Sequence, residues 1–556
     1  MAIIHDGKEI QLDYDILLDK WKSKTVTCEV AAQKPTMCIF NNTRKALEML
    51  NKHIVNNSTI ALHTDVDVDG IGTTYILKKA LDHIGSVKNM LIINKDKIHG
   101  IQEKHVEYFK KRPIDLIIIT DSSCNEINII KEFTCDVLVI DHHELLHNNL
   151  NGKCNDGIHD YVIVNNTIDN EDFESDINWL KSKNISAFDN ISKYKGTNAM
   201  SCGLVVYELL RVYCEVFSNI KIIENLMLYQ WAAITLITDV IDTLNERNQW
   251  YLDKTFFNMN TETSLKIMMN KINNFKGSLD KSFISYSFAP MINKAIRAGE
   301  SAKALDIVIN HPYDINDLSI YSDIQKEAID KAVNITEIDE QTGLKTVSKR
   351  IFNTKNIIMD IGTLGIHPNY TGVIAGRLSG DNNKNAAIYI TDSDGICKGS
   401  FRGRYKNVNY RGFFEQYSDD IYAQGHPGAF GFKCKKEQLD TIMNNIEEIE
   451  PTDGIKPYIT VGDIGIEDYG EYHVTSIDEF KRLGYILKMA TGNAKVTSTD
   501  EIMLRVKTNT IVLKDTRGKL FLYDVLGMEC KAFTPLNSSI MDIYPEFTNE
   551  ISMYIR

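Results

Sequence analysis

What the chain lacks narrows its class first. Its 556 residues contain no run of eighteen apolar side chains, so neither a transmembrane helix nor a membrane partner is expected. The opening MAIIHDGKEI has neither the charged nor the apolar region of a secretory leader, which points to the cytoplasm. No two cysteines are spaced CxxC. The ten of them read as reduced, mostly buried residues, not as a disulfide or zinc framework. An excess of basic charge is missing too. The formal net charge of −13 argues against nonspecific duplex binding over the whole surface, but polyanion binding depends on where charges lie, and a local basic channel stays open. Internal repeats and low-complexity tracts are absent. What is there is a globular composition, 43% hydrophobic and 25% charged, long enough for three or four domains.

Residues 1–57 carry helical patterning, as at 43–54, and read as an N-terminal flap. Five short apolar runs follow at 59–63, 89–94, 115–120, 136–140 and 161–164, alternating with helical stretches such as 71–84 and 102–111. Continuous apolar strands separated by helices imply βαβ units and a parallel sheet covered on both faces. Residues 166–196 are polar and acidic and read as a loop or insertion. Helices are expected near 199–217 and 222–241, and a long linking helix at 321–338 within a charged linker spanning 311–355. A second α/β lobe, residues 356–440, has a strand at 386–390. The last segment, 441–556, holds strand-like runs at 502–507, 510–513 and 519–523, with a turn at 515–518 joining the last two, and reads as a small β-rich domain.

Three strand ends of the first lobe, residues 58–310, finish in metal-ligand types. They are His63-Thr64-Asp65-Val66-Asp67-Val68-Asp69-Gly70, then Thr120-Asp121-Ser122-Ser123, then Asp141-His142-His143-Glu144; Thr238-Asp239 closes an apolar helix as a fourth. In open parallel sheets ligands bind beyond the carboxyl ends of the strands, so the three should converge there. Taken singly, each has an ordinary reading. The DxDxDG loop could hold calcium, although it lacks the spaced terminal Glu of an EF-hand loop. Asp121 could cap a helix, and Asp239 could be a plain helix-end residue. Two histidines preceded by an acid at a strand end are harder to explain that way. Crowded carboxylates repel one another unless cations neutralise them, and oxygen-rich sites with one or two imidazoles suit Mn²⁺ or Mg²⁺. A pair of such ions is a known solution for phosphoryl displacement.

The second lobe contains ICKGSFRGRYKNVNYRGFF at 396–414, five basic residues and no acid, interleaved with Phe401, Tyr405, Tyr410, Phe413 and Phe414. Guanidinium groups pair with phosphates and aromatic faces stack on unpaired bases. Composition alone favours the plainer alternative, a solvated basic face with some core aromatics.

The order DxDxDG, strand-end Asp, Asp-His-His, Thr-Asp resembles the DHH phosphoesterase superfamily. Gly372-Val-Ile-Ala-Gly-Arg377-Leu, Gly399-Ser400-Phe-Arg402 and Gly425-His426-Pro-Gly-Ala-Phe-Gly431-Phe are similar to signatures of its DHH-associated domain. Ala289-Pro290-Met-Ile-Asn293-Lys-Ala-Ile-Arg297 resembles a segment of RecJ-type single-strand exonucleases. Gln424, Lys294, Ile296 and Gly403 depart from the family pattern at substrate-facing motifs. The resemblance covers about residues 58–435.

It implies a two-metal single-stranded DNA exonuclease, running 5′ to 3′, with Asp65, Asp67, Asp121, His142 and Asp239 holding two Mn²⁺ or Mg²⁺ ions and Asp121 bridging. His63 is either a further ligand or a hydrogen-bond donor to a carboxylate. Asp141 orients a histidine, and His143 faces the scissile phosphate. Asn293, Arg297, Ser400, Arg402, Gly425 and His426 contact substrate, and Arg377 is either a contact or structural. A cleft too narrow for a duplex would explain single-strand preference, and an OB-like fold is implied for the C-terminal segment. Single-stranded DNA is the expected partner, with a single-strand-binding protein as a second candidate. Two alternatives remain: a phosphodiesterase for short oligonucleotides or cyclic dinucleotides, and an inactive nucleic-acid-binding replication accessory protein.

Overall fold

The computed structural model describes residues 34–446 apart from 86–87, 96–97, 184–190, 194–199, 240, 242–245, 257–259, 273–278, 280–282, 339–344, 405–407 and 418–419, together with strands at 2–5, 8–11, 471–474, 502–507, 510–515 and 520–524. The chain divides into two compact units. The first comprises residues 1–296, 301–316 and 457–556, the second 297–300 and 317–456.

The first unit is built on a six-stranded sheet. Helix α1 (Thr43–Val55) precedes β1 (Thr59–Thr64), α2 (Val68–Ile84), β2 (Lys88–Ile93), α3 (Glu103–Lys110), β3 (Leu116–Thr120), β4 (Asp136–Asp141), β5 (Asn151–Lys153) and β6 (Asp160–Asn165). The spatial order is β2-β1-β3-β4-β6-β5, all neighbours parallel except the edge pair β5–β6. All of β3 and β4 is buried, as the continuous apolar runs require of strands covered on both faces. On one face β3 and β4 meet Phe109, Ile130 and Phe133. Helices α2, α4 (Cys202–Phe217) and α5 (Tyr229–Thr238) pack together, with Tyr75 stacked on Trp231 at 4.3 Å. Gly72 and Gly203 permit this close packing: a Cβ on Gly72 would stand 2.8 Å from Thr235 Cγ2, and one on Gly203 would overlap the Thr235 side chain. The buried Glu208 carboxylate, joined to Arg211 and Arg247, ties α4 to the backbone carbonyls of Pro35 and Thr36.

Two expected helices are shorter than their apolar patterns. The run at 222–241 splits into Lys221–Asn225 and α5, because Met227 takes a left-handed φ of 51° that a right-handed helix cannot accommodate. The segment at 166–196, expected as a loop or insertion, contains a helix, Phe173–Lys181, which buries Ile177 and Leu180. Helix α6 spans Ala289–Arg297, and its last residue belongs to the second unit.

That unit continues with α7 (Tyr321–Val333), which does not run on to residue 338. The chain instead forms an antiparallel hairpin of β7 (Asn334–Ile338) and β8 (Lys345–Lys349). Asn334 turns to extended backbone, and the segment that follows is rich in β-branched residues, Ile335, Thr336 and Ile338, which favour strands over helices. The unit's sheet contains β9 (Ile357–Asp360), β10 (Ala386–Thr391), β11 (Ile396–Arg402), β12 (Tyr422–His426) and β13 (Ala429–Lys435) in the order β9-β10-β11-β13-β12, with only β9–β10 parallel. Helices α7 and α8 (Thr371–Asn382) share one core with it, and α9 (Tyr410–Tyr417) and α10 (Lys436–Asn445) share another. Near the C-terminus β14 (Glu471–Val474), β15 (Ile502–Lys507), β16 (Thr510–Asp515) and β17 (Leu520–Asp524) form an antiparallel sheet in chain order. Residues 516–518 of the turn expected there lie outside the described residues. Among the described residues no helix is long and apolar enough to cross a membrane.

Candidate active site

Parallel register brings the strand ends of the first unit level: Thr64 lies opposite Thr120, and Thr120 opposite Ile140. The chain leaves β1 through Asp65 and Asp67. Asp67 caps α2 by accepting the Gly70 amide at 2.9 Å. Asp121, the residue after β3, takes φ 62°, a left-handed conformation that non-glycine residues rarely adopt and that turns the chain sharply at the strand end. Asp141 ends β4, and Asp239 is the first residue beyond α5.

These side chains converge. Three sets could each hold a cation, with ligand atoms within 4.8 Å of one another: Asp65, Asp67 and Asp121; Asp69, His142 and Asp239; and Asp121, His142 and His143. His142 Nε2 lies 3.2 Å from Asp121 Oδ1, 3.5 Å from Asp239 Oδ2 and 4.0 Å from Asp69 Oδ2. Asp65, Asp69 and Asp121 are each at most 2% exposed. Burial, and then the neighbouring carboxylates, push Asp69 and Asp121 well above the usual carboxylate range and Asp239 up to about 7. The donor set is therefore oxygen-rich, buried and mutually repulsive, and among the described residues Asp121 Oδ1 makes no hydrogen bond. Divalent cations fit it, because only added positive charge relieves that repulsion.

Two aspartate–histidine pairs flank the cluster. His143 Nδ1 lies 2.7 Å from Asp141 Oδ1. Asp141 also accepts the amides of Cys124, His142 and His143, so its orientation is set by the β4 turn. Despite burial, His143 holds the Asp141 carboxyl well below its usual range, and Asp141 in turn pushes His143 up to about 10. In the second pair, His99 Nδ1 lies 2.7 Å from Asp65 Oδ2, and the Gly100 amide donates to Asp65 Oδ1 at 3.2 Å. Despite burial, this imidazole keeps Asp65 below the usual range. His63 is not gathered into any of the three sets. It is fully buried, edge-on to His105 at 5.0 Å, and among the described residues neither ring nitrogen has a hydrogen-bond partner. Burial holds it down at about 3, so the ring is neutral.

In the second unit, Arg297 Nη1 donates to Gln325 Oε1 at 2.9 Å, and Arg402 Nη1 donates to the Phe401 carbonyl at 2.8 Å. Burial lowers both guanidinium groups, and Arg297 lowers Arg402 further. Among the described residues neither meets a carboxylate. Ser400 Oγ and Thr371 Oγ1 are 3.0 Å apart. Gly425 takes φ 129°, and its carbonyl accepts from Arg411 at 2.7 Å. His426 pairs with Ala429 across the β12–β13 hairpin. Of the aromatics in the basic segment, Phe401, Tyr410 and Phe414 are core residues at 0–1% exposure, unavailable to stack on bases. Asn293 is half-buried on α6, and Arg377 is paired with Asp381 one turn along α8.

Residues 58–162 match the DHH family, N-terminal domain, and residues 353–450 match the DHHA1 domain. These two stretches of the chain thus carry the paired domains of DHH-family proteins. Among similar curated proteins is one named as an SPbeta prophage-derived single-strand DNA-specific exonuclease, YorK, of Bacillus subtilis (strain 168). It is 22% identical over 450 residues, covering 74% of this chain and 69% of that protein. The single-stranded-DNA-specific exonuclease RecJ of the same organism is 22% identical over 464 residues, covering 78% of this chain and 52% of RecJ. The crystal structure of RecJ in complex with Mn²⁺ from Thermus thermophilus superposes with a TM-score of 0.59 at 14% identity, over 91% of this chain and 73% of that one.

Within this DHH fold, sequence reasoning missed Asp69 as part of the cluster, although it stands in the same DxDxDG motif. It also missed His99 and Gly100, for which the motif carries no signal: Gly100 lies 35 residues beyond the carboxylate it binds.

Proposed function

We propose that the chain is a divalent-cation-dependent phosphodiesterase that degrades single-stranded DNA from its 5′ end. The observation that carries the reading is the convergence of Asp65, Asp67, Asp69, Asp121, His142 and Asp239 at the carboxyl edge of one sheet. Mn²⁺ or Mg²⁺ ions, when bound there, supply a water acidic enough to be hydroxide at neutral pH. Asp121, which belongs to two of the three candidate sets, fits the bridging position. Asp141 fixes the ring of His143, which is oriented to hold a proton near a phosphoryl oxygen. Arg297, Arg402 and Ser400 grip a phosphate of the strand, with Asn293, Gly425 and His426 as further contacts. In this reading residues 58–310 cleave, 356–440 hold the strand, and 441–556 form an OB-like accessory domain. The names of the YorK and RecJ relatives support DNA as substrate and a free single strand as its form.

The test is degradation of a 5′-labelled single-stranded 40-mer with Mn²⁺ or Mg²⁺, alongside 5′-blocked and 3′-blocked strands, a duplex and a dinucleotide. Loss of the label as mononucleotide, stopped by a 5′ block and abolished in His142→Ala, is expected. A strong dinucleotide preference would replace the exonuclease with a short-oligonucleotide phosphodiesterase. Tight DNA binding with no turnover under any divalent ion would replace it with a binding protein.

A further inference from the structure

One polar group in the second unit has no structural employment. Tyr370 is 4% exposed, and among the described residues its hydroxyl has no hydrogen-bond partner. A buried hydroxyl without a partner is unfavourable, and such groups in native proteins usually await something. The ring itself is well used: it packs with Ile357, Ile366 and Ile374. The hydroxyl end lies within electrostatic reach of Arg297. Tyr370 is also the residue immediately before α8, a twelve-residue helix. The first turn of that helix adjoins the remaining donors, since a Cβ on Gly372 would stand 3.3 Å from Arg402 Nη2 and 3.4 Å from Ser400 Oγ. Two guanidinium groups that meet no carboxylate among the described residues, a hydroxyl pair and a helix N-terminus all favour an anion with several oxygens. Among the described residues the charged groups placed near Tyr370 and the first turn of α8, Arg297 and Arg402, are donors. What its hydroxyl lacks is an acceptor, and a phosphoryl group brings one.

We propose that the Tyr370 hydroxyl is a specificity-determining contact that donates to a phosphoryl oxygen held by Arg297 and Arg402. The proposal rests on the reading of these arginines as a phosphate grip and adds the donor that distinguishes this grip from a bare pair of charges. No bond is made or broken; the hydroxyl proton stays on Tyr370 and is shared with the anion.

Tyr370→Phe tests it in the full-length chain, because it keeps the ring in its core and removes one oxygen. Inorganic phosphate is the probe, titrated in EDTA so that no cation recruits it elsewhere, with Arg402→Gln as reference. Wild type should bind phosphate, Arg402→Gln should lose it, and Tyr370→Phe should bind about tenfold more weakly, the usual loss for a hydrogen bond to a charged acceptor. Without phosphate, Tyr370→Phe should melt at or above the wild-type temperature, since it removes an unsatisfied hydroxyl. A merely structural hydroxyl would give the opposite. On a single-stranded oligonucleotide the variant's KM should rise about as much as phosphate binding falls, with kcat retained. Equal phosphate affinity in wild type and Tyr370→Phe, or a Tyr370→Phe chain that melts lower, overturns the proposal, and so does an absence of phosphate binding by wild type at millimolar concentration. Phosphate binding is read without turnover. A chain inactive on every diester but dependent on Tyr370 for phosphate would therefore sink the phosphodiesterase reading and leave this one standing.

Discussion

At the scale of single residues, Asp69 carries most consequence. It stands two positions beyond the N-cap Asp67, and the first turn of α2 rotates it away from Asp65 and Asp67 toward His142 and Asp239. The motif's three aspartates are thus divided between two candidate cation sets by helix geometry, because a turn of 3.6 residues separates side chains two positions apart that a strand would keep on one face. Asp69→Asn is expected to lower turnover on the order of a hundredfold or more and to weaken Mn²⁺ binding comparably. Calorimetric titration of Mn²⁺ checks this, and wild-type affinity in the variant would remove Asp69 from the set. His63 is the counterpart. Its place two residues before Asp65 made it a candidate ligand, but it is fully buried within β1, edge-on to His105 and outside the three candidate sets.

Elements form where local periodicity and packing agree. The strands of the first unit were legible because buried parallel strands are apolar throughout, and that signal is local. Helix lengths were less legible. Hydrophobic content continued past Asn225 and past Val333, but a left-handed residue ended one helix and a turn to extended backbone at Asn334 ended the other. The contact of α2, α4 and α5 depends on two glycines placed against Thr235. Gly203→Ala forces a methyl into that side chain and is expected to destabilise the protein by about 1–3 kcal/mol, the range for overpacking a well-packed core. Urea unfolding measures it, and an unchanged midpoint would mean that the helices can separate at little cost.

For the whole molecule, the buried carboxylates make stability depend on pH and on cations together. Asp69 and Asp121 are raised well above their unfolded value of 3.8, and Asp239 is raised to about 7. A raised carboxylate favours folding fully below its unfolded pKa and loses that contribution as pH climbs through its folded pKa. His143, raised from 6.5 to about 10, acts in the same direction over its own interval. Asp65 and Asp141, which are lowered, titrate far below this window. Protein stripped with EDTA should therefore melt at a lower temperature at about pH 8 than at about pH 6.5. Mn²⁺ should raise the melting temperature more at the higher pH, where the carboxylates are free to bind it. Equal melting temperatures at the two pH values without metal would contradict the crowded-carboxylate account. Calorimetry in matched buffers decides it.

The sequence by itself determined the parallel α/β architecture and the chemical type of the site, since strand period, helix period and the identity of residues at strand ends are properties of short segments. Only the tertiary structure decided which carboxylates face His142, that a loop from beyond β2 brings His99 and Gly100 onto Asp65, that Phe401, Tyr410 and Phe414 of the basic segment are core, and that Tyr370 Oη is left without a partner among the described residues. Those facts depend on side-chain direction and on contacts between segments far apart in the chain, and spacing along the sequence carries no information about either.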